Sequence, residues 1–188
     1  MNIYKSVNAM LGQGFDYLPW MKDFYEELGM TAHGGYDYGC KVGTPIYWNC
    51  DLPAETIYNE IDSAGGMGCS VLVKWEGRIF KFRFWHLSKF GSFQGEVLKK
   101  GMLIGWSGNT GRSTGAHLHF DVKELKVSPN GKYSGLGDYY DQMYPNNGTF
   151  GTIRIDDWMI NTYVFDILTY AEKTNRLLIQ MVKTIQYK

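Results

Sequence analysis

Two of the four histidines in this chain, His117 and His119, stand one residue apart in "TGAHLHFDV" at 114–122. In a β-strand, residues two apart share a face, so both imidazoles can enter one groove while Leu118 and Phe120 turn into the core. Alone, such a pair more often marks two polar residues on an exposed strand face. "HGGYD" at 33–37 changes the balance, because His33 and Asp37 are both good ligands for a borderline metal such as zinc. Four residues of straight strand span roughly 13 Å, whereas donors sharing a zinc lie about 2.0–2.1 Å from it, so the segment must bend or its side chains must converge. Gly34 and Gly35 permit a bend at little steric cost. The plain alternative is a glycine turn capped by the Asp side chain. His33, Asp37 and one member of the histidine pair make the three protein ligands of a catalytic zinc, whose fourth position holds water. Such a water has a lowered pKa and can attack a carbonyl polarised by the same ion, and the remaining imidazoles titrate near neutral pH and can take its proton. The chain has no "HExxH" glutamate base, so histidine has to do that work. Spacing leaves open which member of the pair binds metal.

These groups need strands to hold them. "CSVLVKWEGRIFKFRFWHLSKF" at 69–90 reads as two β-rich runs joined through Glu76-Gly77 into a hairpin. Phe80, Phe82, Phe84 and His86 are in phase, which puts His86 at the end of the face carrying the aromatic stripe, with Lys81 and Arg83 opposite. The stripe itself reads as core rather than as a sugar platform. "GTPIYWNC" reads as a strand, "SAGGMGC" as a turn or flexible loop, and "EVLKKGMLIGWSG" as a turn and strand. "SGNTGRSTG" at 107–115 lacks the "GK[ST]" of a phosphate loop and reads as the loop delivering "HLH" to the groove. Residues 15–30 suit a short helix or ordered loop after Pro19. Residues 128–152 read as long surface loops bordering a groove. Ile160, Tyr163, Val164, Ile167, Leu168, Ala171, Leu178, Met181 and Ile185 approximate a helical stripe, which predicts a C-terminal helix from about 156 to 186. The expected organisation is a domain at 1–152, holding the N-terminal segment and the groove loops, and a helical extension at 153–188.

Composition narrows the class. At 188 residues and 44% apolar, the chain can bury a sizeable core in one domain. Nineteen basic and nineteen acidic residues cancel, so no overall field favours nucleic acid or an anionic surface. Twenty-three glycines, fourteen tyrosines and ten phenylalanines, many in alternating runs, favour a mainly β fold over a helical bundle. Cys40, Cys50 and Cys69 form no CxxC pair and cannot all pair with one another, so no disulfide framework is expected, and Cys40 reads as a small packed residue. The start lacks a long apolar h-region and no run approaches the ~18 apolar residues of a membrane span, which predicts neither a signal peptide nor a spanning helix.

Three stretches, "AHGGYDYGCKVGTPIYW", "FWHLSKF" and "EVLKKGMLIGWSGNTGRSTGAHLHFDV", resemble successive blocks of the M23 family of zinc metallopeptidases, the lysostaphin-like peptidoglycan endopeptidases. The ordered combination of "HxGxD" with "GNTGxSTGxHLHF" is highly specific. The resemblance implies an antiparallel β-sheet with a groove and one zinc ion held by His33, Asp37 and His119. It implies that His86 and His117 are catalytic histidines that activate the water and stabilise the tetrahedral intermediate, and that the substrate is a peptide of bacterial peptidoglycan. Family members often carry glycine-phenylalanine-glycine near the start, where "QGFDY" has Asp16; the departure leaves the local turn open and does not touch the metal set. "QGFDYLPWMKDFYEELGMTAHGGYD" and "NNGTFGTIRIDDW" are similar to arrangements in phage-encoded members. The expectation is therefore a phage lysin or tail-associated wall hydrolase, virion-associated or released from the host cytoplasm on lysis, with the C-terminal helix available for virion or self-association. The competing classes are a noncatalytic peptidoglycan-binding or structural tail module on the same scaffold, and an amidase or carboxypeptidase acting on the same polymer. Nothing in the residues selects between a glycine bridge and a stem-peptide crosslink.

Overall fold

Strand follows strand along most of the chain in the computed structural model, which describes residues 1–15, 18–127, 133–134 and 148–160. In chain order these are β1 (Ile3–Tyr4), β2 (Met10–Gln13), a 3-10 turn at Pro19–Met21 running into α1 (Lys22–Glu27), β3 (Tyr36–Gly39), β4 (Pro45–Tyr47), β5 (Ala54–Ile61), β6 (Met67–Trp75), β7 (Arg78–Trp85), β8 (Leu87–Phe90), β9 (Val97–Leu98), β10 (Leu103–Ser107), β11 (His117–Val127), β12 (Tyr133–Ser134) and β13 (Met159–Ile160). The main sheet has the order β2-β3-β11-β7-β6-β5-β9, with β12 also on β11; β4-β10-β8 form a second sheet, and β1 pairs in parallel with β13. Among the described residues no helix is long and apolar enough to cross a membrane.

The β6–β7 hairpin is the spine of the main sheet, and its turn follows from its residues. Glu76 and Gly77 have φ of 48° and 74°, the pair of positive values that a two-residue turn needs to match strand twist. The register sets Cys69, Val71 and Val73 beside Phe84, Phe82 and Phe80, and β11 adds Phe120 and Val122 on the other side. All these side chains share one face and are buried. Trp48 meets Phe82 edge to face at 5.3 Å, and Ile46, Ile104 and Leu87 of the second sheet close the core from above. Fully burying one such side chain contributes roughly 1.5–3 kcal/mol. The aromatic stripe is thus core, as its periodicity indicates. The opposite face of the same strands presents Lys81, Arg83, His119, Asp121 and Lys123, which is where a polar site can be built.

The backbone breaks the expected alternation at one candidate site residue. His86 lies between β7 and β8 with φ of 63°, in the left-handed region that non-glycine residues seldom enter. A straight strand would leave its ring on the stripe of Phe80, Phe82 and Phe84. The left-handed turn sends it to the other face instead, 4.6 Å from the His117 ring and 6.1 Å from the His119 ring between centroids.

The C-terminal helix is also corrected where it can be seen. Residues 156–158 form a 3-10 turn and 159–160 a short strand on β1, so no helix begins at 156; the remainder of that stripe, from 161, lies outside the described residues. Of the expected surface loops, 128–147 lie outside the described residues apart from β12. Residues 148–152 are not a surface excursion, because Thr149 and Thr152 are buried and Thr152 bridges to Lys123. Ile155 is buried in the main core.

Candidate active site

The first site residues are aligned by strand pairing. β3 and β11 run antiparallel with His119 directly opposite Asp37, so the two side chains emerge side by side. His33 reaches the same point from just before β3. Gly34 and Gly35 serve close approach: a Cβ on Gly35 would stand 2.7 Å from both His119 Cε1 and the Phe120 carbonyl oxygen, and one on Gly34 would stand 2.5 Å from Thr152 Oγ1.

Three atoms converge as a result. His33 Nε2 lies 3.1 Å from His119 Nδ1 and 3.2 Å from Asp37 Oδ1, and His119 Nδ1 lies 2.8 Å from the same Oδ1. Ligands at about 2.0–2.1 Å from a tetrahedral zinc are separated from one another by roughly 3.3 Å, so this triangle has nearly the dimensions of one face of that tetrahedron.

The outer hydrogen bonds give these atoms the right chemistry. His33 Nδ1 donates to the Gly14 carbonyl at 2.9 Å, and His119 Nε2 donates to Asp121 Oδ2 at 3.1 Å. A neutral imidazole carries one N–H, so each ring turns a lone pair toward Asp37 Oδ1. Three acceptors at hydrogen-bonding distance repel unless a proton or a cation lies among them, and a zinc site asks for neutral imidazoles and a carboxylate. His33, Asp37 and His119 therefore fit zinc. The other two histidines are oriented in the same way: His117 Nδ1 donates to the Gly115 carbonyl at 2.7 Å, and His86 Nδ1 to the Thr110 carbonyl at 2.8 Å. Each keeps Nε2 as its acceptor, and His117 Nε2 stands 3.7 Å from Asp37 Oδ1.

Charge states follow from these surroundings. Burial opposes a charge on Asp37, but the imidazoles of His119 and His33 beside it outweigh that and hold the carboxyl well below the usual range. Burial likewise opposes the His119 cation, yet the carboxylates of Asp121 and Asp37 raise its pKa to about 9 in the metal-free site. His86 moves the other way: burial lowers it to about 4 against the Thr110 carbonyl, so it is neutral at physiological pH.

All five residues singled out from sequence thus meet at one end of a groove of about 500 Å³. Its lining includes apolar Met21, Phe24 and Leu28 from the α1 region and Phe150, together with the charged Asp62 and Arg112. Gln13 and Tyr25, also in the lining, are joined by a side-chain hydrogen bond. Three polar residues that support the site escaped the sequence reading. Asp121 was findable, since it is in phase with His119 on β11. Arg83, which forks onto Asp121, was read only as lying opposite the aromatic stripe. Thr110 gave no signal: its carbonyl accepts from His86, while its hydroxyl donates to the Leu87 carbonyl at 2.8 Å and accepts from the Met67 N–H at 3.0 Å. The cysteines take no part; all three are free thiols, and burial pushes Cys69 up to about 12.

Residues 31–133 match Peptidase family M23. The chain is 31% identical over 171 residues to the glycyl-glycine endopeptidase ALE-1 of Staphylococcus capitis, an alignment covering 84% of this chain and 45% of that protein. It is 37% identical over 93 residues to the peptidoglycan DD-endopeptidase ShyA of Vibrio cholerae, covering 50% of this chain and 20% of that one. These alignments span less than half the length of either relative. Among solved structures, a zinc-containing peptidase from Vibrio cholerae superposes with a TM-score of 0.50 at 26% identity, over 65% of this chain and 36% of that one.

Proposed function

The chain belongs to peptidase family M23, and from that premise we propose that its groove is a zinc-dependent endopeptidase site for peptides of bacterial peptidoglycan. The observation that carries the reading is the convergence of His33 Nε2, Asp37 Oδ1 and His119 Nδ1 on one point. Those three atoms would hold the ion. When bound, zinc supplies a Lewis acid for a carbonyl oxygen and lowers the pKa of a water to near neutrality.

The protein's own groups supply the rest. His117, fixed by the Gly115 carbonyl, presents a basic Nε2 beside the ligand triangle, where it can take a proton from the attacking water. His86 is neutral and packs against His117. A proton passed to His86 Nε2 is weakly held and readily given to the leaving amine, and while it stays there the Nε2–H can donate to the oxyanion. The left-handed backbone at His86 supports this role, because strained conformations persist where function requires them.

Purified protein should bind zinc and release amines from purified peptidoglycan in a chelator-sensitive reaction; absence of both defeats the reading. The named relatives cut different bonds, one glycyl-glycine and one of DD type, so fragment masses from walls of both crosslink types identify the bond cut here. A phage setting, with the enzyme carried in the virion or released at lysis, is supported by the similarity of residues 13–37 and 146–158 to phage-encoded members. Mass spectrometry of purified virions and lysates tests it, and absence from both contradicts it.

A further inference from the structure

The two histidines facing the metal position are not held alike. His33 is anchored by a neutral carbonyl, whereas His119 is anchored by a buried carboxylate that is itself clamped by an arginine. Arg83 Nε and Nη2 meet the two oxygens of Asp121 at 2.7 and 2.8 Å, with Arg83 5% and Asp121 1% exposed. Oδ2 is shared: it accepts from both Arg83 Nη2 and His119 Nε2. The arginine therefore fixes the very oxygen that orients the histidine. Strand geometry delivers the arrangement, since Asp121 follows His119 on one face of β11 and Arg83 lies opposite Asp121 on β7.

We propose that Asp121 and Arg83 are positioning residues that make His119 the dominant zinc ligand and set the protein's zinc affinity. The inference rests on the zinc reading above. A carboxylate acceptor locks the imidazole tautomer and ring plane and raises the basicity of the nitrogen facing the metal; loss of such a partner typically lowers metal affinity 10–100-fold. A buried carboxylate needs compensation to remain ionised, and the planar guanidinium fork provides it through two charge-assisted bonds while leaving Oδ2 able to accept from His119. The same two strands contain an internal control. At their other end Arg78 forks onto Glu124 at 2.7 and 2.6 Å, a similar pair away from the ligand triangle.

The test is the zinc dissociation constant, measured by competition with a chromophoric chelator, alongside thermal melting. Asp121→Asn should weaken zinc binding about 10–100-fold. Since that variant breaks the charge pair at Arg83, the double variant Arg83→Gln/Asp121→Asn removes both charges together and should melt close to wild type while still binding zinc weakly. Arg83→Lys, which keeps the charge and loses the fork, should weaken binding less than Asp121→Asn. The control Arg78→Gln/Glu124→Gln should keep wild-type affinity. A purely structural pair predicts the reverse: a folded double variant with wild-type zinc affinity overturns the proposal while leaving the zinc reading intact. Wild-type protein that binds no zinc overturns both.

Discussion

What distinguishes the four histidines is the group that holds each outer nitrogen. Three use backbone carbonyls and one a carboxylate, and this decides where each proton resides. The metal-free protein should register the difference in its pH dependence. The folded pKa of His119 is raised from 6.5 to about 9, so its stabilisation is fully present below pH 6.5 and is lost as pH rises to about 9. Over that window, melts in chelator should show falling stability, while apparent zinc affinity rises because ligation must displace the proton. Replacing His117 by Ala should leave zinc bound and lower turnover by about 10²–10⁴-fold, the usual contribution of a general base. Unchanged turnover would remove His117 from the chemistry. Thr110→Val should lower kcat with little change in zinc content, with Thr110→Ser restoring it, if the hydroxyl holds the loop against Leu87 and Met67. At this scale much was legible: alternation alone put His117 and His119 on one face. Alternation failed at His86 because one left-handed residue reverses the facing of everything that a straight strand implies.

Elements convert those side chains into a site through close backbone approach. Gly35 lies where β3 passes His119, and an added methyl would meet the ring and the Phe120 carbonyl at 2.7 Å. Gly35→Ala should therefore displace His119, reduce zinc loading and destabilise the fold by about 1–3 kcal/mol, the usual range for overpacking; zinc content and melting temperature check it. Sequence made the β6–β7 hairpin plain, because Glu76-Gly77 and the flanking runs agree on one turn. The need for Gly35 was not visible, since it depends on which strand becomes the neighbour of β3. The predicted C-terminal helix illustrates the converse: its expected start at 156–160 instead forms a 3-10 turn and a strand, with Met159 and Ile160 paired to β1 next to the buried Ile155. Tertiary contacts override local periodicity there.

The whole molecule joins segments far apart in sequence. His33 meets His119 across 86 positions, and Thr31 donates to the Gly148 carbonyl across 117. Local patterns predict strands but not such meetings, which is why the α1 region was legible only as a short helix or ordered loop, and 148–152 only as part of surface loops bordering a groove. One core beneath one face and one polar site on the other also tie metal to stability. A ligand bound only by the folded state adds about 2.7 kcal/mol at a concentration of 100 times its Kd, so zinc should raise the melting temperature and chelation should lower it. The central claim is that this groove hydrolyses wall peptides with zinc, and its most direct measurement is the appearance of new amino termini in purified peptidoglycan. The account predicts release by zinc-loaded protein, loss on chelation, recovery on adding zinc back, and none from zinc-loaded His117→Ala. Release that persists after zinc is removed, or its absence from fully loaded wild-type protein, would contradict it.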